Sequence, residues 1–334
     1  MEKQRIVYLD NLKFFLILVV VIGHAIYDGD GNNIEKGIYL FIYSFHMPLF
    51  LFVSGFFHKN ENISNRVFKL IVIAYLCKFI SVVEHAIFGS TMSMSIFRWD
   101  CYGWFMVAIA VFSFFTYCAR NFNLKFLFIC AVILSCFAGY DDSVNDFLCL
   151  SRIIVFYPFY VLGYWVDKEK LTVILSKLYI KVCACGILLV SLVVSILLAN
   201  TRVWNYIYMF TGNVPYSQMG FEANGFQRLG CYMLTIIIGF SFMCIIPKKN
   251  MGYVSCCGKR TLQVFFWHVP LLVLLQKTGV ANWVRKIRGG SVLWCAFWIL
   301  VTLFLSCSAF SFPIDKIYNV SLRKSEIGER KKHE

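Results

Sequence analysis

CGILLVSLVVSILLA, residues 185–199, contains no charged, amide or proline residue. With its approach from residue 178 it is long enough, at about 1.5 Å per residue, to cross the roughly 30 Å hydrocarbon core of a bilayer as a helix. Barrel strands alternate over short segments, so an unbroken apolar run of this length speaks against a β-barrel. The rest of the chain agrees: of 334 residues 59 % are hydrophobic and 15 % charged, where a soluble domain carries about 25 % charged residues. Mean hydropathy is +0.69. Soluble, disordered and fibrous classes are excluded on composition.

Including this run, ten apolar stretches of comparable character fall at about 7–27, 37–57, 67–87, 103–119, 124–139, 152–166, 178–199, 229–246, 261–276 and 291–312. Those at 124–139 and 152–166 are short and are expected to tilt or to extend at their ends. The expected fold class is all-α: a polytopic membrane protein of about ten transmembrane helices. It forms one membrane-embedded domain over 1–334 with a basic tail at 313–334. With the N-terminus inside, twenty-one of the 32 Lys and Arg residues fall on inner segments and nine on outer ones, which places both termini in the cytoplasm. The outer segment 277–290 runs against the trend with four cations. The acidic outer segments DGDGNNIE (28–35) and GYDDSVND (139–146) fit the assignment without deciding it.

The net charge of +14 is thus accounted for by topology and membrane lipids, and no nucleic-acid partner is expected. The 14 Cys residues are scattered through apolar runs with no C-x-x-C pair and no His at zinc-ligand spacing, so neither a disulfide framework nor a metal site is expected. MEKQR leads straight into the first apolar run without a small-residue cleavage site, so that run is expected to be retained as the first helix. The longest outer loop, TRVWNYIYMFTGNVPYSQMGFEANGFQ (201–227), suits either stacking on sugar rings or an interfacial aromatic belt.

Ionisable side chains inside spans are costly and mark functional sites by default. His24 falls near the outer end of the first span, His46 in the upper half of the second, and Glu84 with His85 near the outer end of the third. Trp104 and Arg152 begin the fourth and sixth spans, and His268 lies mid-span in the ninth. A lone intramembrane His is often only a packing residue, but unlike polar groups at similar depth point to a site. Lys13 and His24 are eleven residues apart, about 16 Å along a helix and on nearly the same face, so both are expected to point into one groove. Asp10 lies three residues before Lys13, within pairing distance, and Asn11 follows it. The alternative for Lys13 is snorkelling to the headgroups. Pro48, two residues after His46, is expected to kink the second span around the site.

RIVYLDNLKFFLILVVVIGH (5–24), followed by YSFHMPLFLFVSGFF (43–57), resembles the acyltransferase 3 family of integral membrane O-acyltransferases, and most closely its fucose 4-O-acetylase-like branch. The family's basic residue, ten intervening residues and His are matched by Lys13 and His24, although Arg is the commoner basic residue there. Phe45 to Phe50 match its F-H-M-P-L-F, and Ser54, Gly55 and Phe56 its S-G-F. Weaker echoes follow at Tyr102 to Ala108, Ser151 to Trp165 and Thr261 to Leu272.

The resemblance implies acyl transfer, usually of acetyl, from coenzyme A to a hydroxyl of an exported or cell-surface glycan at a bacterial cytoplasmic membrane. Acetyl-CoA is then a cosubstrate and no cofactor is held permanently. The acceptor would be a capsule, exopolysaccharide or lipid-linked oligosaccharide. A sugar hydroxyl is a poor nucleophile at neutral pH and needs a positioned base, for which neutral imidazole is suited. His24, His46, Glu84 and Arg152 are the candidate catalytic residues, with Glu84 expected to orient a His. Donors to the oxyanion are expected from Arg152, Trp104 or backbone amides near Ser54 and Gly55. Asp10, Asn11, Lys13, Ser54, Trp104 and His268 are candidate substrate contacts, and Arg66, Lys69, Lys259 and Arg260, with Arg5, candidate partners of the coenzyme A phosphates. Direct transfer and an acetyl-histidine intermediate both remain open. The rival class is a proton-coupled secondary transporter of a small solute, which also uses intramembrane His and Glu but would be expected to show inverted repeats.

Overall fold

Helices form where the apolar runs predict them, because a backbone in hydrocarbon must satisfy its own polar groups. The structure, a computed structural model, describes residues 2–26, 31–89, 92 and 95–320, with side chains from Val7 onward. In chain order the helices are α1 (Glu2–Ile26), α2 (Asn33–Tyr43), α3 (His46–Phe56), α4 (Ile63–Ile87), α5 (Trp104–Cys118), α6 (Leu124–Ala138), α7 (Leu150–Trp165), α8 (Lys168–Ile174), α9 (Leu178–Leu198), α10 (Ile207–Thr211), α11 (Gly225–Ile245), α12 (Tyr253–Cys257), α13 (Thr261–Lys277), α14 (Val280–Lys286), α15 (Gly290–Leu305) and α16 (Ile314–Asn319). No strand is present among the described residues. Four segments are long and apolar enough to cross a membrane: Val7–Ile26, Asn33–Phe56, Leu178–Leu198 and Gly225–Ile245; α13 and α14, bent by 72°, make a fifth if taken together. α5, α6 and α15 are apolar but shorter.

Several starts are fixed by sequence-local caps. Asn32 and Glu35 form a capping box on α2, Asn224 and Gln227 another on α11, and Asn123 and Asp167 cap α6 and α8. The tail expected at 313–334 begins as α16, while residues 321–334 lie outside the described residues.

The second apolar stretch, Asn33–Phe56, is interrupted where Pro48 predicts: helical bonding breaks at Ser44 and Phe45, because Pro48 lacks the N–H that would bond to the Ser44 carbonyl four residues earlier. Thr235 Oγ1 on α11 donates to the Ser44 carbonyl at 2.6 Å, satisfying an acceptor at the break. His46 thereby becomes the first residue of α3.

α3 and α7 then approach very closely through two glycines. A Cβ on Gly55 would lie 2.0 Å from the Tyr160 carbonyl oxygen, and one on Gly163 2.0 Å from that of Phe52. The S-G-F segment is thus a packing device. α9 lies at the other extreme, with Leu189, Val190 and Leu197 all exposed to what a bilayer would cover.

One of the four cations of 277–290 has a structural reason to lie there. Arg285 on α14 donates to Glu35 Oε2 at 2.9 Å and to the Ile26 carbonyl at 3.1 Å, so its charge is neutralised inside the fold. The long loop after α9 folds inward as a cap, held where the buried Arg228 guanidinium donates to the Tyr216 hydroxyl at 3.0 Å.

Candidate active site

Lys13, Ile17, Val20 and His24 follow one another at helical spacing along α1 and line one wall of a cavity of about 820 Å³. α2, α3, α4, α5, α7 and α13 supply the other walls. The cavity is continuous from Lys13, Arg66 and Tyr318 at the foot of α1 to Trp204, Tyr208 and Asn213 of the cap beyond His24. The stripe inferred from the eleven-residue spacing therefore does face an internal passage.

At its foot, Lys13 Nζ pairs with Asp10 Oδ1 at 2.8 Å and lies 5.6 Å from the centre of the Phe57 ring. Arg66 and Ser54 share this end. Ser54 Oγ donates to the Phe50 carbonyl at 2.9 Å. Lys69 stands beside the cavity rather than in its wall, donating to the Tyr318 carbonyl at 2.5 Å.

Three imidazoles meet further along. His24 Nδ1 lies 3.5 Å from the Tyr43 hydroxyl, and its ring centre is 5.5 Å from that of His268. His46 packs its ring 4.6 Å from Tyr43 and is within electrostatic reach of His24. Backbone carbonyls accept hydrogen bonds but cannot donate them, which fixes two tautomers. His46 Nδ1 donates to the Ile42 carbonyl at 2.8 Å, and His268 Nδ1 to those of Val264 and Phe265 at 3.0 and 2.9 Å. Pro270 contributes to this geometry. It lacks the N–H that would bond to Phe266 four residues earlier, and the Tyr102 hydroxyl, which also lines the cavity, donates to that carbonyl at 3.2 Å.

Beyond the imidazoles, the Arg152 guanidinium lies 4.7 Å from the Trp104 ring centre and 3.6 Å from Asp146 Oδ1. Trp104 in turn stacks on Phe156. Tyr39 stacks on Tyr43 at 4.0 Å and approaches Trp204 at 5.9 Å, so an aromatic rim surrounds this end.

The structure brings His24, His46, His268, Arg152, Trp104, Ser54, Lys13 and Arg66 to the one cavity, and leaves other candidates out of it. Glu84 is not in the cavity wall, and the ring nitrogens of His24 and His46 meet the Tyr43 hydroxyl and the Ile42 carbonyl, so Glu84 does not orient either ring. Asn11 is fully buried and serves the fold instead. Its Nδ2 donates to the carbonyls of Pro247 and Lys249, both at 2.9 Å, and its Oδ1 accepts from Ser255 Oγ at 2.6 Å. It clamps the 247–255 segment to α1 and has no donor left for a substrate. Asp10 acts through Lys13. Lys259 and Arg260 are exposed outside the wall, and Arg260 donates to the Ser306 carbonyl at 3.2 Å. The amides of Ser54 and Gly55 lie inside α3, where helical bonding commits them, so they form no oxyanion hole. The side chain of Arg5 lies outside the described residues.

Sequence reasoning passed over Tyr39, Tyr43 and Tyr102. Tyrosine in an apolar run reads as packing, and only the closure of α2 and the residue-102 turn onto α1 and α13 gives these hydroxyls a site to face.

Comparison with known proteins adds the family. Residues 6–314 match the acyltransferase domain Acyl_transf_3. Nodulation protein NolL of Sinorhizobium fredii (strain NBRC 101917 / NGR234) is 26 % identical over 182 residues, an overlap of 48 % of each chain. The chain thus spans about half the length of this curated relative. No solved structure matches. With a family match over nearly its whole length, a passage lined by three imidazoles and several helices able to cross a bilayer, this chain belongs to the acyltransferase 3 family of membrane-embedded acyltransferases.

Proposed function

We propose that this protein transfers an acetyl group from cytoplasmic acetyl-CoA to a sugar hydroxyl of an exported or cell-surface glycan. In this reading it lies in the bacterial cell membrane as about ten transmembrane helices with both termini in the cytoplasm. The observation that carries the proposal is the continuous cavity that joins Lys13 and Arg66 at one end to His24 and the aromatic rim at the other.

The foot of α1 then opens to the cytoplasm. Lys13, held by Asp10, and Arg66 attract the phosphate charges of coenzyme A, and the thin pantetheine arm extends past Ile17 and Val20. A neutral imidazole, His24 foremost, takes the proton of the acceptor hydroxyl as its oxygen attacks the thioester carbonyl. Arg152 and Trp104 provide N–H groups for the developing oxyanion. The C–S bond breaks, the C–O ester bond remains, and the thiolate takes up the proton and leaves as free coenzyme A. An acetyl-histidine intermediate on His24 is the two-step version of the same chemistry. The Tyr39 and Trp204 rings at the opposite mouth suit the apolar face of a sugar, and capsule, exopolysaccharide and lipid-linked oligosaccharide acceptors all present one.

The experiment is acetyl-CoA labelled in its acetyl group, supplied to inverted membrane vesicles from cells that carry or lack the gene, with mass spectrometry of surface glycans from the same strains. Label passing to glycan only in the presence of the gene, and lost with His24→Ala, supports the proposal. An unaltered glycan acetyl content in the deletion strain refutes it. The rival reading, a proton-coupled transporter, has its own signature: solute uptake with acetyl-CoA untouched.

A further inference from the structure

His24 needs an orienting partner if it is to accept a proton at one nitrogen, because the other must give up or hold its own proton in a fixed direction. Acid side chains do this in many hydrolases, and the one acid suggested for the role, Glu84, is outside the cavity wall. Asp100 also lines the wall, but its carboxylate pairs with Arg98 at 3.7 Å.

His268 is placed to take the role. It is buried, and its Nδ1–H is committed to two backbone carbonyls, so in the neutral ring Nε2 carries the lone pair. That Nε2 is covered from solvent and has no hydrogen-bond partner among the described residues. Leaving such an acceptor unused is unfavourable, and it calls for an explanation. Three rings surround His268: His24 at 5.5 Å, Phe265 at 6.0 Å and Tyr102 at 6.5 Å. Phe265 has no donor, and the Tyr102 hydroxyl donates to the Phe266 carbonyl. Of these three rings, His24 is the one with a polar atom free to reach Nε2.

We propose that His268 is the positioning residue of the transfer reaction, a neutral acceptor that holds the imidazolium of His24. This deepens the acetyltransferase reading and rests on it for its chemical role. A side-chain torsion of His24 brings its N–H onto His268 Nε2, leaving the other nitrogen as base. When the acceptor hydroxyl gives its proton to that nitrogen, the new C–O bond forms and the C–S bond breaks. The positive charge on His24 is meanwhile stabilised through His268 to the carbonyls of Val264 and Phe265. The proton then leaves with the coenzyme A thiolate, and both rings return to their neutral tautomers. The relay is thus carbonyl, imidazole, imidazole, with no carboxylate.

Two amide substitutions separate this role from a merely structural one. Gln carries its amide to the position of imidazole Nε2, and Asn to that of Nδ1. If His268 acts through Nε2, His268→Gln keeps acetyl transfer within a few-fold of wild type while His268→Asn loses about 10- to 100-fold in kcat with little change in KM for acetyl-CoA. If it serves only to satisfy the Val264 and Phe265 carbonyls, the order reverses. A reversed order, or equal loss in both, overturns the proposal.

A second measurement is independent of acyl transfer and of any change at position 268. In nanodisc-embedded wild type treated with diethyl pyrocarbonate, His268 is expected to stay unmodified because His24 covers Nε2, and to become modified in His24→Ala, as read by peptide mass spectrometry. Equal modification of His268 in both proteins overturns the pairing. If the wild type consumes no acetyl-CoA but the protection pattern holds, the functional reading has failed and the His24–His268 pairing has not.

Discussion

Replacing Gly163 by alanine tests whether the α3–α7 contact sets the shape of the passage. The added Cβ would lie 2.0 Å from the Phe52 carbonyl oxygen, and ordinary contact begins at 3.4 Å, so the helices must separate by about 1.4 Å. Backbone faces backbone here, and no flexible side chain can yield. Overpacking of this kind costs about 1–3 kcal/mol. The consequence for chemistry is larger, because α3 carries His46 and α7 carries Arg152 on facing walls of the cavity. A misplacement of about 1 Å can lower turnover by about 100-fold. Gly186 on α9 is the matched control, since a Cβ there meets nothing within 4 Å. Both variants would be purified in the same detergent and compared by thermal unfolding and by coenzyme A release from acetyl-CoA. Gly163→Ala should melt below wild type and lose most activity, with Gly186→Ala equal to wild type in both. A Gly163→Ala protein as stable and active as the control would show that the helices are not in backbone contact, and the reasoning about the cavity walls would fall.

Three further outcomes are expected. Asn11→Ala removes three hydrogen bonds and strands two carbonyls, which should cost about 2–5 kcal/mol and expose the 247–255 segment to proteolysis; unchanged thermal stability would contradict the clamp. Glu35→Gln replaces the carboxylate that accepts from Arg285 by a neutral amide and should cost about 1–3 kcal/mol, whereas the apolar pair Glu35→Leu with Arg285→Met should be milder than the sum of the single changes. Asp146, in the loop before α7, has its carboxyl held above its ordinary value by burial, with Arg152 partly opposing the shift. A raised value means that the folded state holds the proton more tightly than the unfolded state. Its contribution to stability is therefore present below the ordinary carboxylate value of 3.8 and is lost as pH rises through the folded value. Asp146→Asn should flatten that part of a melting-temperature profile against pH, and an unaltered slope would count against it.

The helices and one stripe were legible in the order of residues alone. Hydrophobic runs must become helices in hydrocarbon, and Asn32 with Glu35 or Asn224 with Gln227 start helices through bonds three residues long. The Lys13–His24 stripe is equally local, since eleven residues return to one face of any α-helix. Which polar groups share the cavity was settled by the packing of the folded chain. His24 and His268 are 244 positions apart and meet because α1 and α13 pack together, a juxtaposition that no local period encodes. Glu84, in a helix predicted as correctly as α1, points to other neighbours. Asn11 reads as a site residue beside Lys13 until the 247–255 segment arrives to use all its hydrogen bonds. The break at Ser44 was legible from Pro48, four residues on; what satisfies the freed Ser44 carbonyl is Thr235 of α11, which the second helix meets only in the folded chain. Helix formation is governed by neighbours within four residues, whereas the site is governed by packing between helices. For that reason the first could be read from the sequence and the second could not.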